Sequence, residues 1–284
     1  MASILPYLRI LRPQNALMAG ATTALGFWFS GTIWSARTFL LLIMASMAAV
    51  GFGNIVNDIH DIATDRISHP GRPLPRGEIS RRAAWIAAVL TAAISVACAW
   101  SAAPIAALGA AIPLALLLAY AFRLKSTPLA GNLLISLLVA YPLIFGGMLG
   151  ASIKHLVAPA GLAFLLNMMR EIIKDIQDRD GDRRAGLVTS AIYPDNLLKS
   201  LIVICSAACI LGMAFPYMLG HFGTTYVVIC LLCLIPLHLY WLRMLFSDTW
   251  EMRLATISTL IKQQMLGGLL ALAADQAGRL LVYH

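Results

Sequence analysis

Residues 38–65 read TFLLLIMASMAAVGFGNIVNDIHDIATD, and this stretch decides the fold. Its first nineteen residues, 38–56, carry no charge, which is enough to cross a bilayer as a helix. Directly behind them come Asn57, Asp58, Asp61 and Asp65. The pattern returns once. A second apolar run over 155–173 leads into KDIQDRDGD, with Asp175, Asp178 and Asp182 at the same offsets. On a helix, offsets of 0, 3 and 7 set each trio on one stripe. Carboxylates at a membrane edge are costly unless they hold something cationic, and like charges on one stripe invite a divalent metal.

The rest of the 284-residue chain agrees with a membrane solvent. Apolar residues make up 60%, charged residues 12%, and the mean hydropathy is +0.81. These values exclude a soluble domain. Long apolar runs without period-two alternation select helices over a barrel. Nine spans are predicted, at 15–34, 38–57, 83–102, 104–122, 129–151, 155–173, 196–219, 224–246 and 256–282. Spans three and four form a tight hairpin through Pro104, and span nine carries Lys262, Asp275 and Arg279. The opening MASILPYLRILRP reads as a short interfacial helix, with no cleavable signal peptide.

With the N-terminus inside, 17 of the 21 basic residues fall in inner segments, and Arg37, Lys154 and Arg279 fall outside. The positive-inside rule therefore predicts an N-in, C-out protein of the cell membrane, with both carboxylate runs facing the cytoplasm. The net charge of +8 suits anionic headgroups or a phosphorylated substrate, and is no signal for nucleic acid. All five cysteines lie in apolar spans, where C-x-x-C at Cys230 and Cys233 reads as packing.

No linker breaks the chain, so residues 1–284 read as one domain. A weak repeat relates halves at about 10–125 and 126–246, with the ninth helix at 256–282 added; Asp58 and Asp175 are 117 residues apart. Such halves would bring both runs to one mouth of a central cavity. The proline-rich HPGRPLPRGEIS (69–80) and the segment from Arg170 to Lys199 are candidate lids.

A diphosphate needs this kind of charge. Mg²⁺ prefers a few carboxylates plus phosphate oxygens and water, so Asp58, Asp61, Asp65, Asp175, Asp178 and Asp182 are the predicted metal ligands, for two ions bridged by diphosphate. Arg72, Lys125, Arg170 and Lys174 would offset phosphate charge, and apolar walls would shield an allylic cation from water. Tyr120 and Lys125, at the cytoplasmic end of span four, and Arg12 and Asn15, which straddle the start of span one, lie by the mouth, and Tyr120, Arg12 and Asn15 are further candidate substrate-binding residues.

The two motifs resemble those of the UbiA-type intramembrane prenyltransferases, in which an N-D-x-x-D-x-x-x-D run and a second acidic run bind Mg²⁺–diphosphate. The resemblance covers nearly the whole chain. It implies a nine-helix bundle, a role for Asn57 beside the substrate, and catalytic roles for Asp58, Asp61, Asp175, Asp178 and Lys125. RPQNALM (12–18), GRPLPRGEIS (71–80), FRLKSTPLAGN (122–132) and REIIKDIQDRDGD (170–182) look like the digeranylgeranylglyceryl phosphate synthase branch. That likeness implies transfer of geranylgeranyl from its diphosphate to geranylgeranylglyceryl phosphate in ether-lipid synthesis. VTSAIYP (188–194) departs from the T-L-P-like stretch usual there, which puts acceptor or lid details in question more than the metal site.

Other readings remain beside this one. An aromatic acceptor, of the 4-hydroxybenzoate, quinone-precursor or chlorophyllide type, is the alternative within the family. A secondary transporter is the alternative of another class, though transporters carry their ionisable groups at the midplane, where here only Lys262 and Asp275 fall. Asp180, His60 and His238 read as bystanders, and Glu171 as a support for Lys174 or for a metal water.

Overall fold

The computed structural model describes residues 4–31, 35–184 and 186–282. In it, helix α1 (Leu5–Leu11) lies ahead of α2 (Pro13–Phe29), α3 (Ala36–His60) and the short α4 (Ile62–Ser68). Then follow α5 (Arg81–Ala102), α6 (Pro104–Ala119), α7 (Ala130–Gly147) and α8 (Lys154–Arg184). The chain ends in α9 (Asp195–Met218), α10 (Thr224–Ile229), α11 (Ile235–Leu245) and α12 (Leu254–Val282). Eight helical segments among the described residues are long and apolar enough to cross a membrane. The predicted first span is α2, at 17 residues the short limit for a crossing helix. Residues 32–34, at the end of that predicted span, lie outside the described residues. The protein is an integral membrane protein, and its outward faces agree: Trp100, Leu211, Leu232 and Leu270 are all more than 60% exposed on the bundle surface.

Helix α1 is short, as predicted. Leu5 and Leu8 face out while Ile10 is buried against α3, a one-sided pattern in keeping with the interfacial placement expected from the sequence. The α5–α6 hairpin turns on Ala103, extended at φ −166°, with Pro104 as first residue of α6.

Two devices let the central helices approach. Helices α2 and α7 pack backbone against backbone: a Cβ on Gly26 would lie 2.0 Å from the Leu143 carbonyl oxygen, and one on Gly146 2.0 Å from that of Thr23. Small residues at such a crossing supply the van der Waals contact that holds helices together in lipid. In α6, Pro113 has no N–H for the Gly109 carbonyl, and the Tyr141 hydroxyl of α7 donates to it instead at 2.7 Å. In hydrocarbon a freed carbonyl needs such a donor.

Helix α6 ends in a π-helical turn, Tyr120–Leu124, closed by Lys125 N–H donating to the Tyr120 carbonyl at 2.8 Å. This extra residue in the turn rotates Lys125 toward α3. Between α2, α3, α6, α7, α8 and α12, with α9 and the α10–α11 segment also contributing, lies a cavity of about 400 Å³. Its deep walls include Phe145, Met213, Leu234 and Leu272; its mouth carries Arg12, Asn15, Asn57, Tyr120, Arg170 and Lys174.

Candidate active site

The first carboxylate run does not continue as a single helix. Helix α3 stops at His60, Asp61 caps it at φ −87°, ψ 4°, and α4 restarts at Ile62. The predicted continuous stripe is thus corrected to a stripe with a break at its centre. The break does not disperse the acids, because Asp61 N–H still donates to Asn57 and Asp65 N–H to Asp61. Asp58, Asp61 and Asp65 are all at most 6% exposed, so each needs a partner.

Each has one. Asp58 pairs with Arg12 and, at 3.6 Å, with Arg72. Asp65 holds Arg72 Nη1 with both oxygens, at 2.7 and 2.6 Å. Asp61 pairs with Lys125 and accepts from Asn57 Nδ2 at 2.8 Å. Lys125 also donates to Asn57 Oδ1 at 3.3 Å, so these three residues form one closed set. His60 sits 3.4 Å from Asp61 and edge-on to Phe122, closer to the site than its helical position suggests.

The cations arrive by specific routes. Arg12 sits in the left-handed region, φ 50°, at the joint of α1 and α2. Asn54, one turn before Asp58, donates to the Leu11 carbonyl at 2.9 Å and fixes that joint. Arg72 comes from the proline-rich loop, which Arg9 holds by donating to the Gly71 carbonyl at 2.7 Å and pairing with Glu78 at 3.1 Å.

The second run stays on one helix, since α8 continues to Arg184. Asp175 accepts from Asn132 Nδ2 at 2.9 Å, and from the backbone N–H and hydroxyl of Ser190 at 3.1 and 2.7 Å. Ser190 belongs to the VTSAIYP stretch, so that departure supports a carboxylate of the second run directly. Asn132 and Ser190 are residues the sequence reading missed; the N-terminal turn of α7 and a loop fifteen residues after Asp175 carry no spacing signal. Behind Asn132, its carbonyl accepts from Ser136, whose hydroxyl in turn accepts from Asn167 at 3.2 Å. Asp178 and Asp180 are exposed, and Asp182 is partly buried. Arg170 and Lys174 both pair with Glu171, at 2.9 and 3.1 Å, which makes Glu171 an anchor for the two cations.

The two runs share one mouth. Tyr120 lies within the electrostatic reach of Asp61 from the first run and of Asp175, Asp182 and Glu171 from the second. The fields of Glu171 and Asp182 also reach Lys125. Among the described residues no three carboxylates converge on a single point. Hard oxygen donors from two helices, facing each other across Tyr120 and Lys125, fit a hard divalent ion that takes its other ligands from phosphate and water. Asn57, Glu171 and Lys174, which adjoin the two runs in sequence, line the main cavity together with its apolar walls, so the runs flank its rim. Asp58 opens, with Arg9, Arg12, Asn15 and Arg72, into a second, shallower cavity of about 470 Å³.

The two ionisable residues of α12 are placed as well. Asp275 is buried and accepts from the Gly223 and Tyr226 N–H groups at the start of α10, and from Arg279 at 3.1 Å. It is a helix cap. Lys262 points into the cavity mouth and donates to Asn15 Oδ1 at 3.4 Å.

This arrangement has known counterparts. Residues 19–257 match the model of the UbiA prenyltransferase family. The chain belongs to that family. With membership the enzyme reading stands: the chain is a prenyltransferase, and the transporter reading is set aside. The chain is 36% identical over 223 residues to the digeranylgeranylglyceryl phosphate synthase of Natronomonas pharaonis, covering 78% of this chain and 80% of that one. Its fold is similar to a solved digeranylgeranylglyceryl phosphate synthase at a TM-score of 0.80 and 25% identity, over 97% and 99% of the two chains. It is also similar to a UbiA homolog from Archaeoglobus fulgidus bound to GPP and Mg²⁺, at a TM-score of 0.71 and 20% identity, over 94% and 99%.

Proposed function

We propose that this UbiA-family enzyme transfers a prenyl group, geranylgeranyl, from its diphosphate to the free hydroxyl of geranylgeranylglyceryl phosphate, forming an ether bond. The observation that carries the reading is two facing carboxylate runs, interleaved with cations, at the rim of an apolar cavity. The synthase named in the curated relative supports the acceptor.

Asp58, Asp61, Asp65, Asp175, Asp178 and Asp182 would hold two Mg²⁺ ions with the diphosphate. The metal, when bound, draws negative charge from the departing diphosphate. Arg72 and Lys125, released from Asp65 and Asp61 as those carboxylates turn to the ions, would move their charge onto phosphate oxygens. Asn57 holds Lys125 and Asp61 in register. The bond between the prenyl C1 and the diphosphate oxygen breaks with its electron pair on oxygen. The glycerol hydroxyl oxygen then bonds to C1, and its proton passes to the diphosphate or to water. An alcohol attacks well only a carbon that is already strongly cationic, and walls such as Phe145 and Leu272 keep water from quenching it. The mouth faces the cytoplasm, in keeping with the basic residues that surround it.

The test is purified enzyme in lipid with Mg²⁺ and geranylgeranyl diphosphate, offered geranylgeranylglyceryl phosphate, 4-hydroxybenzoate and chlorophyllide. An ether product from the glycerol phosphate is expected. Robust prenylation of an aromatic acceptor, with none of the glycerol phosphate, overturns the acceptor and leaves the family intact.

A further inference from the structure

The cations of the mouth are paired, with one exception. Arg12 and Arg72 lie on Asp58, Arg72 on Asp65, Lys125 on Asp61, and Arg170 and Lys174 on Glu171. Lys262, on the membrane helix α12, forms no ion pair among the described residues. Its ammonium has one neutral hydrogen-bond partner, Asn15 Oδ1, at a long 3.4 Å. The charge of Arg170 reaches it across the same cavity wall. Arg170 adds a second observation, since its Nε–H is buried and has no acceptor. Two cations lining one membrane cavity, Lys262 with no carboxylate partner and Arg170 with a donor left over beyond its pair with Glu171, are stable together when an anion bridges them.

Position narrows the anion. Lys262, Asn15 and Arg170 line the main cavity, and Asn15 with Arg12 also lines the shallower cavity on the Asp58 side. The proposed diphosphate site is the carboxylate rim, where Tyr120 lies within the electrostatic reach of Glu171, Asp175, Asp61 and Asp182. A group held by Lys262 meets donors that pair with none of the six aspartates of the two runs, since the carboxylate on Arg170 is Glu171, which Lys174 already shares. Donors alone suit a phosphate monoester, whereas a diphosphate brings its charge to the metal ligands.

We propose that Lys262, with Asn15 and the free Nε–H of Arg170, is the binding site for the phosphate monoester of the acceptor, separate from the diphosphate site. The proposal rests on the phosphorylated-acceptor reading above and adds which residues recognise it. In the sequence Lys262 is one of three charged residues of the ninth predicted span. In this site it anchors the headgroup and orients the acceptor hydroxyl toward the rim.

The experiment is steady-state kinetics of the full-length enzyme in lipid, with each substrate varied in turn. Wild type is compared with Lys262→Met, which keeps the length of the side chain and removes its charge, and with Lys262→Arg. Loss of a charge-assisted bond predicts a KM for the phosphorylated acceptor raised about 10- to 100-fold in Lys262→Met. The donor KM should stay within about twofold, and Lys262→Arg should recover most of the loss. Asn15→Leu gives an independent variant should Lys262→Met not fold, with an effect in the same direction. An unchanged acceptor KM, or a donor KM that rises as much as the acceptor KM, overturns the site. Failure of wild type to use the phosphorylated acceptor at all would instead overturn the acceptor reading, so the two failures are distinct.

Discussion

Asp61 shows what a buried carboxylate in this site requires. Lys125 and Asn57 satisfy it, and the three side chains close on one another. Replacing Asp61 with Asn keeps the volume and removes the charge that a divalent ion needs. We expect Asp61→Asn and Asp178→Asn each to lower kcat by on the order of 10²-fold or more, the scale of losing one electrostatic contact to the transition state. The protein should remain folded and inserted, as gel filtration checks, and EDTA should abolish wild-type turnover until Mg²⁺ is restored. Turnover that survives both substitutions and EDTA refutes the metal ligands. Asp175 makes a different case, because its partners are neutral. Asn132→Leu removes one donor from a buried acceptor and should cost about 1–3 kcal/mol of stability, read from thermal unfolding in detergent. The acidic residues were legible because their spacing repeats and because charge is rare in such a chain. Asn132, Ser190 and Asn54 were not, since a neutral amide or hydroxyl in a membrane sequence has a dozen uses, and its partner lies far off in the chain.

At the level of the helix, lengths and order were written in hydropathy, but joints were not. The break at Asp61 and the π-helical turn at Tyr120–Leu124 leave no periodic trace, because each shifts the register by about one residue. Their cause is tertiary: Lys125 must reach Asp61, and Arg12 must reach Asp58 from a left-handed joint. The α2–α7 crossing is another such contact, invisible until Gly26 meets Leu143 and Gly146 meets Thr23. Gly146→Ala should therefore destabilise by about 1–3 kcal/mol, as over-packing does, seen as a lower Tm in detergent. Gly161→Ala on α8, where an added Cβ meets nothing within 4 Å, should be neutral or slightly stabilising. Equal Tm values for the two variants would mean that α2 and α7 are not held by this contact.

Across the whole molecule, one asymmetry organises the rest. The carboxylate runs, the proline-rich loop that delivers Arg72 and the loop that delivers Ser190 all stand at the same end of the bundle, and 17 of the 21 basic residues belong to segments on that end. Packing follows an order in keeping with a duplicated half: α2 lies against α3 and α7, α7 against α8, and α3 and α8 against α5 and α9 in turn. We propose, from this order and the repeated motif spacing, that the chain is two related halves, each contributing one acidic run to the mouth. Moving that many cations across the bilayer during insertion is unfavourable, so we expect the basic end to stay inside. The orientation can be measured with single cysteines on a cysteine-free background, in right-side-out spheroplasts treated with an impermeant maleimide. A cysteine in place of the exposed Lys154, at the opposite end, should react at once. A cysteine in place of the exposed Arg76, in the Arg72 loop, should react only after the membrane is opened. The reverse pattern would put the diphosphate site outside the cell, where a cytosolic prenyl diphosphate could not reach it, and the proposed reaction would fail with it.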